Sequence, residues 1–230
     1  MPCSCLINPN LLGTPPIVPS FSSIIYGSVT NNPVYEGMVD YYYEYHYSGL
    51  FIDHTLLNAV PNGANIYKVA INVLNTVNGT YNENNVDIYM ANALPTYTQF
   101  PSNLRVNLTS VTDTAWNNSL INFTQVSTGA NYSYQQVGAD PNTNWKPEFV
   151  FNTTGFTHAA GNNILIMFNG GDGSYVGGAS SNPRHIGQTL SGTQLRRWVF
   201  QNKISGPKYS PTEVVNVDNT FIPNIRLYWN

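Results

Sequence analysis

From Asn65 to Leu74 the chain reads NIYKVAINVL, with Ile66, Lys68, Ala70 and Asn72 alternating against Tyr67, Val69, Ile71 and Val73. Successive side chains of a strand point to opposite faces, so this two-residue period predicts a β-strand. The same signal marks Val86–Asn92, Leu104–Val111, Ser119–Val126, Pro147–Thr154, Asn163–Asn169, Gln194–Asn202 and Pro223–Asn230. Between these runs lie VPNGAN, TVNGTYNENN, STGANYS, GADPNTN and NGGDGSYVGG, whose Asn and Gly accept the left-handed backbone that turns need. Helical periodicity is nearly absent. The best candidate for a helical turn is ALPTYTQFP, bounded by Pro95 and Pro101. No internal repeat is present. Short strands separated by turn signals predict an all-β fold, an antiparallel β-sandwich of jelly-roll type. Residues 1–25 carry five prolines and little alternation. They predict an extended N-terminal arm packed along another surface, such as a second subunit, with residues 26–230 as a single sandwich domain.

The stretch GMVDYYYEYHYSGLF, Gly37 to Phe51, concentrates tyrosines beside Asp40, Glu44 and His46. As a strand from Asp40 to Tyr47, it would set Tyr41, Tyr43, Tyr45 and Tyr47 on one face. Asp40, Tyr42, Glu44 and His46 would share the other. One aromatic and one polar face is the pattern of a half-buried strand, with the tyrosines against the sheet interior. A row of exposed rings stacking on sugars is the competing reading. An enzyme reading would use Asp40, Glu44 or His46. Asp40 and Glu44, however, would stand roughly 13 Å apart by the strand rise, beyond the usual carboxylate spacing of glycosidases. Glu44 and His46 are neighbours on that face and could share a proton.

Composition narrows the classes. Charged residues make up 9% of the 230, against 42% apolar and 13% aromatic, so the surface is solvated by neutral polar groups rather than disordered. A chain of this size buries roughly 70% of its unfolded surface and needs no disulfide staple. Nine Lys and Arg and a net charge of −3 give little means of releasing phosphate counterions, which argues against nucleic acid as a partner. Cys3 and Cys5 stand too close for a relaxed bridge, and the pair lacks the four ligands of structural zinc. They read as two thiols in the arm. The opening residues predict no signal peptide, and no apolar run approaches a membrane span.

The remaining motifs are weak. FNGGDGSYVGG lacks the Gly-Lys-Ser/Thr ending of a phosphate loop, and Asp172 is a weak metal candidate as its one charged side chain. Arg184, His185, Arg196 and Arg197 read as sheet solvation, with Arg stacking on Trp145 or Trp198 as an option. His46, His54, His158 and His185 are scattered, and Asp53 and His54, adjacent on a strand, would face opposite ways. No zinc-hydrolase spacing and no nucleophile elbow occurs. Asn-x-Ser/Thr triplets follow from the Asn- and Thr-rich composition. No catalytic residue and no cofactor is expected.

The succession YGS, PVY, YYYEYHYSGLFI, IYKVAI, VDIYMAN, PEFVFNTTGFTHAAGNNILIMFNGGDGSY and PNIRL resembles the β-sandwich surface and adhesion modules of Bacteroidota, and related virion proteins of their tailed phages. The matching positions are Gly27, Ser28, Tyr43, Tyr45, Tyr47, Asp87 to Met90, Phe149, Phe151, Asn163 to Ile166, Asp172 to Tyr175, and Pro223 to Leu227. The resemblance runs from Tyr26 to the end in short motifs. It implies a non-enzymatic role in adhesion or display. Lack of a signal peptide and of a sorting domain favours the virion, since lysis releases a virion protein. The leading expectation is therefore a structural protein of a phage particle (capsid decoration, head fibre or tail component), with copies of itself and other virion proteins as partners. The alternative is a glycan-binding adhesion module at a cell surface. There Tyr42, Trp116, Trp145, Tyr175 and Trp198 would stack on sugars.

Overall fold

Runs of β-branched and aromatic residues bounded by Asn- and Gly-rich turns fold as strands. A computed structural model of the chain describes residues 20–24, 32–34, 45–74, 79–100, 110–112, 120–136, 145–171, 184–189, 198–203 and 221–230. Its strands are β1 (Ser20–Ile24), β2 (Asn32–Val34), β3 (Tyr45–Ile52), β4 (Asn65–Leu74), β5 (Gly79–Ala93), β6 (Ser110–Thr112), β7 (Leu120–Asn122) and β8 (Thr124–Gln136). There follow β9 (Trp145–Val150), β10 (Phe156–Thr157), β11 (Asn163–Gly170), β12 (Arg184–Thr189), β13 (Trp198–Lys203), β14 (Phe221–Pro223) and β15 (Ile225–Trp229). One 3-10 turn, His54–Leu56, follows β3. No described helix is long and apolar enough to cross a membrane.

The strands form antiparallel sheets, so the fold is all-β. An eight-stranded sheet runs β1-β15-β4-β12-β14, with β9 and β10 also on β4 and β2 on β12. A five-stranded sheet runs β13-β3-β11-β5-β8, and β6 pairs with β7. The two larger sheets contribute to one buried cluster. Leu50, Ile52, Ile88, Met90, Ile166 and Phe168 come from the five-stranded sheet, and Ile66, Val69, Ile71, Phe149 and Leu227 from the eight-stranded one. Phe149 meets Phe168 edge-on across this cluster, with ring centroids 5.0 Å apart at 64°. Each such side chain contributes roughly 1.5–3 kcal/mol by leaving water.

A second cluster lies on the other face of the five-stranded sheet. Tyr47 and Phe51 of β3, Ala91 and Ala93 of β5, and Leu165 and Met167 of β11 are covered there by Tyr97, Phe100 and Ile121. Alternation along β3 assigns the faces. Leu50 and Ile52 belong to the first cluster, Tyr47 and Phe51 to the second. All eight residues of β11 are buried, as are all of β3 after Tyr45.

This arrangement corrects the half-buried reading of the tyrosine strand. Tyr45 and Tyr47 do share a face, but it is the face covered by Tyr97, Phe100, Ile121 and Phe123, and the opposite face is buried as well. His46, expected on a polar face, is 1% exposed, as is Ser48. Tyr41, Tyr42, Tyr43, Asp40 and Glu44 lie outside the described residues.

Two further expectations change. The alternation of β4 is broken near Tyr67 and Lys68. Lys68 pairs with Tyr228, but the next step along β15, Trp229, pairs with Ile66. The extra residue is a β-bulge, and it turns Ile66 to the same cluster as Val69 and Ile71. The turn signals TVNGTYNENN and STGANYS fall partly or wholly inside β5 and β8, which pair from Gly79–Gln136 to Met90–Thr124 with three register shifts. Asn85 (φ 55°) and Gly129 (φ 53°) take the left-handed backbone at these irregularities, so turn-prone residues serve bulges instead. The stretch from Ala93 forms a tight turn, with Tyr97 N–H donating to the Leu94 carbonyl at 3.0 Å, and no helix. Residues 20–24, counted above in the arm, pair with β15 from Ser20–Trp229 to Ile24–Ile225 and belong to the sheet. The rest of the arm, with Cys3 and Cys5, lies outside the described residues.

Candidate functional site

Of the five rings expected to stack on sugars, the described residues include the side chain of Trp145 alone. Tyr42, Trp116 and Tyr175 lie outside them, as does the weak metal candidate Asp172. Trp198 opens β13 opposite Leu50, and its side chain is not described. Trp145 sits in β9 opposite Asn72 and is 8% exposed. Arg226 of β15 covers its ring, with the guanidinium carbon 4.2 Å from the centroid. The ring is therefore spent on a cation–π contact within the sheet instead of facing a ligand. Lys68 repeats the motif nearby, 3.7 Å over the Tyr228 ring and 3.2 Å from Glu148 Oε1.

His46 finds an acid that sequence distance hid. Its Nδ1 lies 3.4 Å from Glu83 Oε1, and the two side chains are 2% and 6% exposed. They lie against Gly170, where a Cβ would come within 2.6 Å of the His46 ring and 2.9 Å of Glu83 Oε1. Pairing of β3 with β11, and of β11 with β5, brings them together. Only Gly at position 170 leaves room for the pair. A general acid or base must come within hydrogen-bond reach of a substrate atom, and in this arrangement neither side chain faces solvent.

A second polar cluster ties loops at the far end of the same strands. Asn163 opens β11 fully buried. Its Oδ1 accepts the His54 N–H at 2.8 Å and lies 3.1 Å from His54 Nδ1. Its Nδ2 donates to the Leu94 and Tyr97 carbonyls, both at 2.8 Å. Asp53 caps the 3-10 turn by accepting from Thr55 N at 2.9 Å and Thr55 Oγ1 at 2.7 Å. The turn also brings His54 Nδ1 to 3.4 Å from Asp53 Oδ1, so this pair does not sit on opposite faces of a strand. Nearby His158 is 1% exposed, and burial pushes its imidazole pKa down. Among the described residues, no three His, Cys, Asp or Glu side chains come together as a metal ion would need.

Beside this cluster opens a polar cleft of about 460 Å³, lined by Asn92, Asn122, Thr124, Thr154, Gly155, Phe156 and Thr157. Asn92 is at the end of β5, and Asn122 and Thr124 flank the β7–β8 junction. Residues 154–157 lead into β10 on the other sheet. Asn92 locks the two walls together. Its Nδ2 donates to the Thr157 carbonyl and its Oδ1 accepts the Ala159 N–H, both at 3.0 Å. Gly155 adopts φ 84°, and a Cβ there would collide with Asn65 Oδ1 and the Ile66 carbonyl oxygen. Sequence reasoning missed the cleft, because its walls are separated by about thirty residues or more in the chain and no motif spans them.

A polar tie also joins the sheets. Tyr132 Oη donates to the Val150 carbonyl at 3.2 Å and lies 2.8 Å from Ser127 Oγ, which accepts Asn152 N–H at 3.3 Å. The amide of Asn152 pairs with both backbone groups of Thr128, each at 3.0 Å. Burial raises the Tyr132 phenol, against the opposing pull of the Ser127 hydrogen bond. No protein-family model, no curated protein and no solved structure matches the chain.

Proposed function

We propose that this chain is a non-enzymatic building block of a bacteriophage particle, folded as a jelly-roll-like sandwich and assembling through sheet and N-terminal contacts. The observation that carries this reading is the double burial of the tyrosine strand. Tyr47 is fully buried in one cluster, while Leu50 and Ile52 are buried in the other. A segment sealed on both faces supports a role in construction. The deep burial of His46 and Glu83 supports the same conclusion. The low charge, 9% of residues, suits surfaces that pair with copies of themselves, since interface cores favour aromatics over Lys and Glu. Among the described strands β1 ends the order of its sheet, pairing with β15, which is compatible with an arm preceding it.

Light scattering on the full chain and on a version lacking residues 1–19 tests this, because that truncation keeps β1. The expected result is an oligomer that loses subunits on truncation. If both proteins are monomers, and the full chain fails to bind particles assembled without it, the reading falls. A second reading, adhesion to a host-surface glycan, is favoured by the uncharged cleft beside Asn92. Both readings hold together if the particle touches its host through this protein.

A further inference from the structure

We propose that the cleft between the β7–β8 junction and the 154–157 turn is a binding site for a neutral saccharide. This rests on the adhesion reading and supplies its location. The volume, about 460 Å³, falls in the range of ligand clefts, roughly 300–1,000 Å³. Every lining residue is uncharged, so a charged ligand would enter without a counter-charge and lose its hydration there.

The lining groups suit hydroxyls. Asn122, Thr124, Thr154 and Thr157 are all exposed, and none spends its side-chain amide or hydroxyl on a hydrogen bond among the described residues. An amide offers two donors and an acceptor, and a hydroxyl offers both roles. Sugar hydroxyls need that mixture. Phe156, 4% exposed, contributes an apolar floor rooted in the shared core.

The site is also held in advance. Asn92 is a positioning residue: its amide fixes Thr157 and Ala159 against the end of β5. The turn at Gly155 is packed directly on Asn65 and Ile66. Walls that do not move on binding retain affinity that loop ordering would otherwise consume.

The test is an array of neutral and acidic oligosaccharides probed with the full chain, then calorimetric titration of the best neutral binder. Variants are Thr124→Val, which removes a hydroxyl at constant shape, Asn122→Ala, and the two combined, each checked by thermal melting. Expected is saturable binding to a neutral saccharide, weakened about fivefold by each change and further by both together, with unchanged melting. If the wild type binds and the double variant binds equally, the cleft is not the site, while adhesion stands. Binding confined to acidic glycans overturns the neutral assignment. A wild type that binds nothing removes the adhesion reading and this site together.

Discussion

Replacing Asn163 by Ala should open the loop end of the five-stranded sheet. The side chain is fully buried, and it serves the His54 N–H, His54 Nδ1, and the Leu94 and Tyr97 carbonyls at 2.8–3.1 Å. A buried hydrogen bond contributes about 1 kcal/mol net, and a partner left unsatisfied costs about 1–3 kcal/mol. Some of these groups can regain water once the loops part, so the loss should total about 3–5 kcal/mol rather than the full sum. For a chain of this length that corresponds to a melting temperature lower by roughly 10–15 °C. Urea unfolding of wild type, Asn163→Ala, Asn163→Asp and His54→Ala checks it. Asn163→Asp keeps the shape and the acceptor for His54 N–H. It loses both donors, and a carboxylate then faces two carbonyls, so it should be at least as damaging as Ala. His54→Ala gives up the ring contacts to Asn163 Oδ1 and Asp53 Oδ1 at a partly exposed site, keeps the backbone N–H bond, and should cost about 1 kcal/mol. An Asn163→Ala loss below about 1 kcal/mol, or an Asn163→Asp variant as stable as wild type, would refute the claim that this amide holds the loops together.

Three other outcomes follow from the geometry. Gly155→Ala must adopt a left-handed backbone and collide with Asn65 and Ile66. It should lose about 2–4 kcal/mol in urea unfolding, while Gly161→Ala, at φ 81° with open space around it, should lose only about 1 kcal/mol. Tyr89 has its phenol pushed up to about 12 by burial and then by Asp87. The unfolded chain ionises near the ordinary phenol value of 10.0, so stability should be complete below that pH and fall as pH rises toward 12. Tyr89→Phe should flatten that decline, and an unchanged slope would argue against it. His158 is held below its ordinary 6.5 by burial. Its contribution should be full above pH 6.5 and shrink as pH falls through the lowered value. Imidazole proton shifts followed by NMR should place its midpoint below 6.5, and a midpoint at or above that value would refute the assignment.

Much of the strand pattern was legible in local sequence. Asn65–Leu74 is a strand over the same residues that alternation marks, and Asn163–Asn169 differs from β11 by one residue. Facing was less legible, because it depends on partners. One bulge opposite Tyr228 and Trp229 rotates Ile66 to the other side of β4, and no propensity within NIYKVAINVL announces it. The roof over Tyr47 was hidden for a similar reason. Tyr97 and Phe100 come from a stretch without a clear period, and the period that marks Ile121 does not name what it packs on. A signal did exist: ILIMF, Ile164 to Phe168, is apolar at every position, which is how a strand buried on both faces reads. Taken with its pairing to SGLFI, it foretells two clusters. The site was the least legible part. His46 meets Glu83 from a distant strand, and the cleft gathers Asn92, Asn122 and Thr157 from three separate segments. Such groupings exist only once the strand order is known.

Hydrogen exchange followed by mass spectrometry tests the double burial of Tyr45–Ile52 most directly. Backbone amides of β3 and β11, bonded from Ile164–Ile52 to Gly170–His46, should exchange only through global unfolding. Their protection should equal the unfolding free energy measured in urea. Exchange there as fast as in the exposed turn at residues 94–96 would mean that the tyrosine strand is open on one face, and the account of this chain as a building block would lose its foundation.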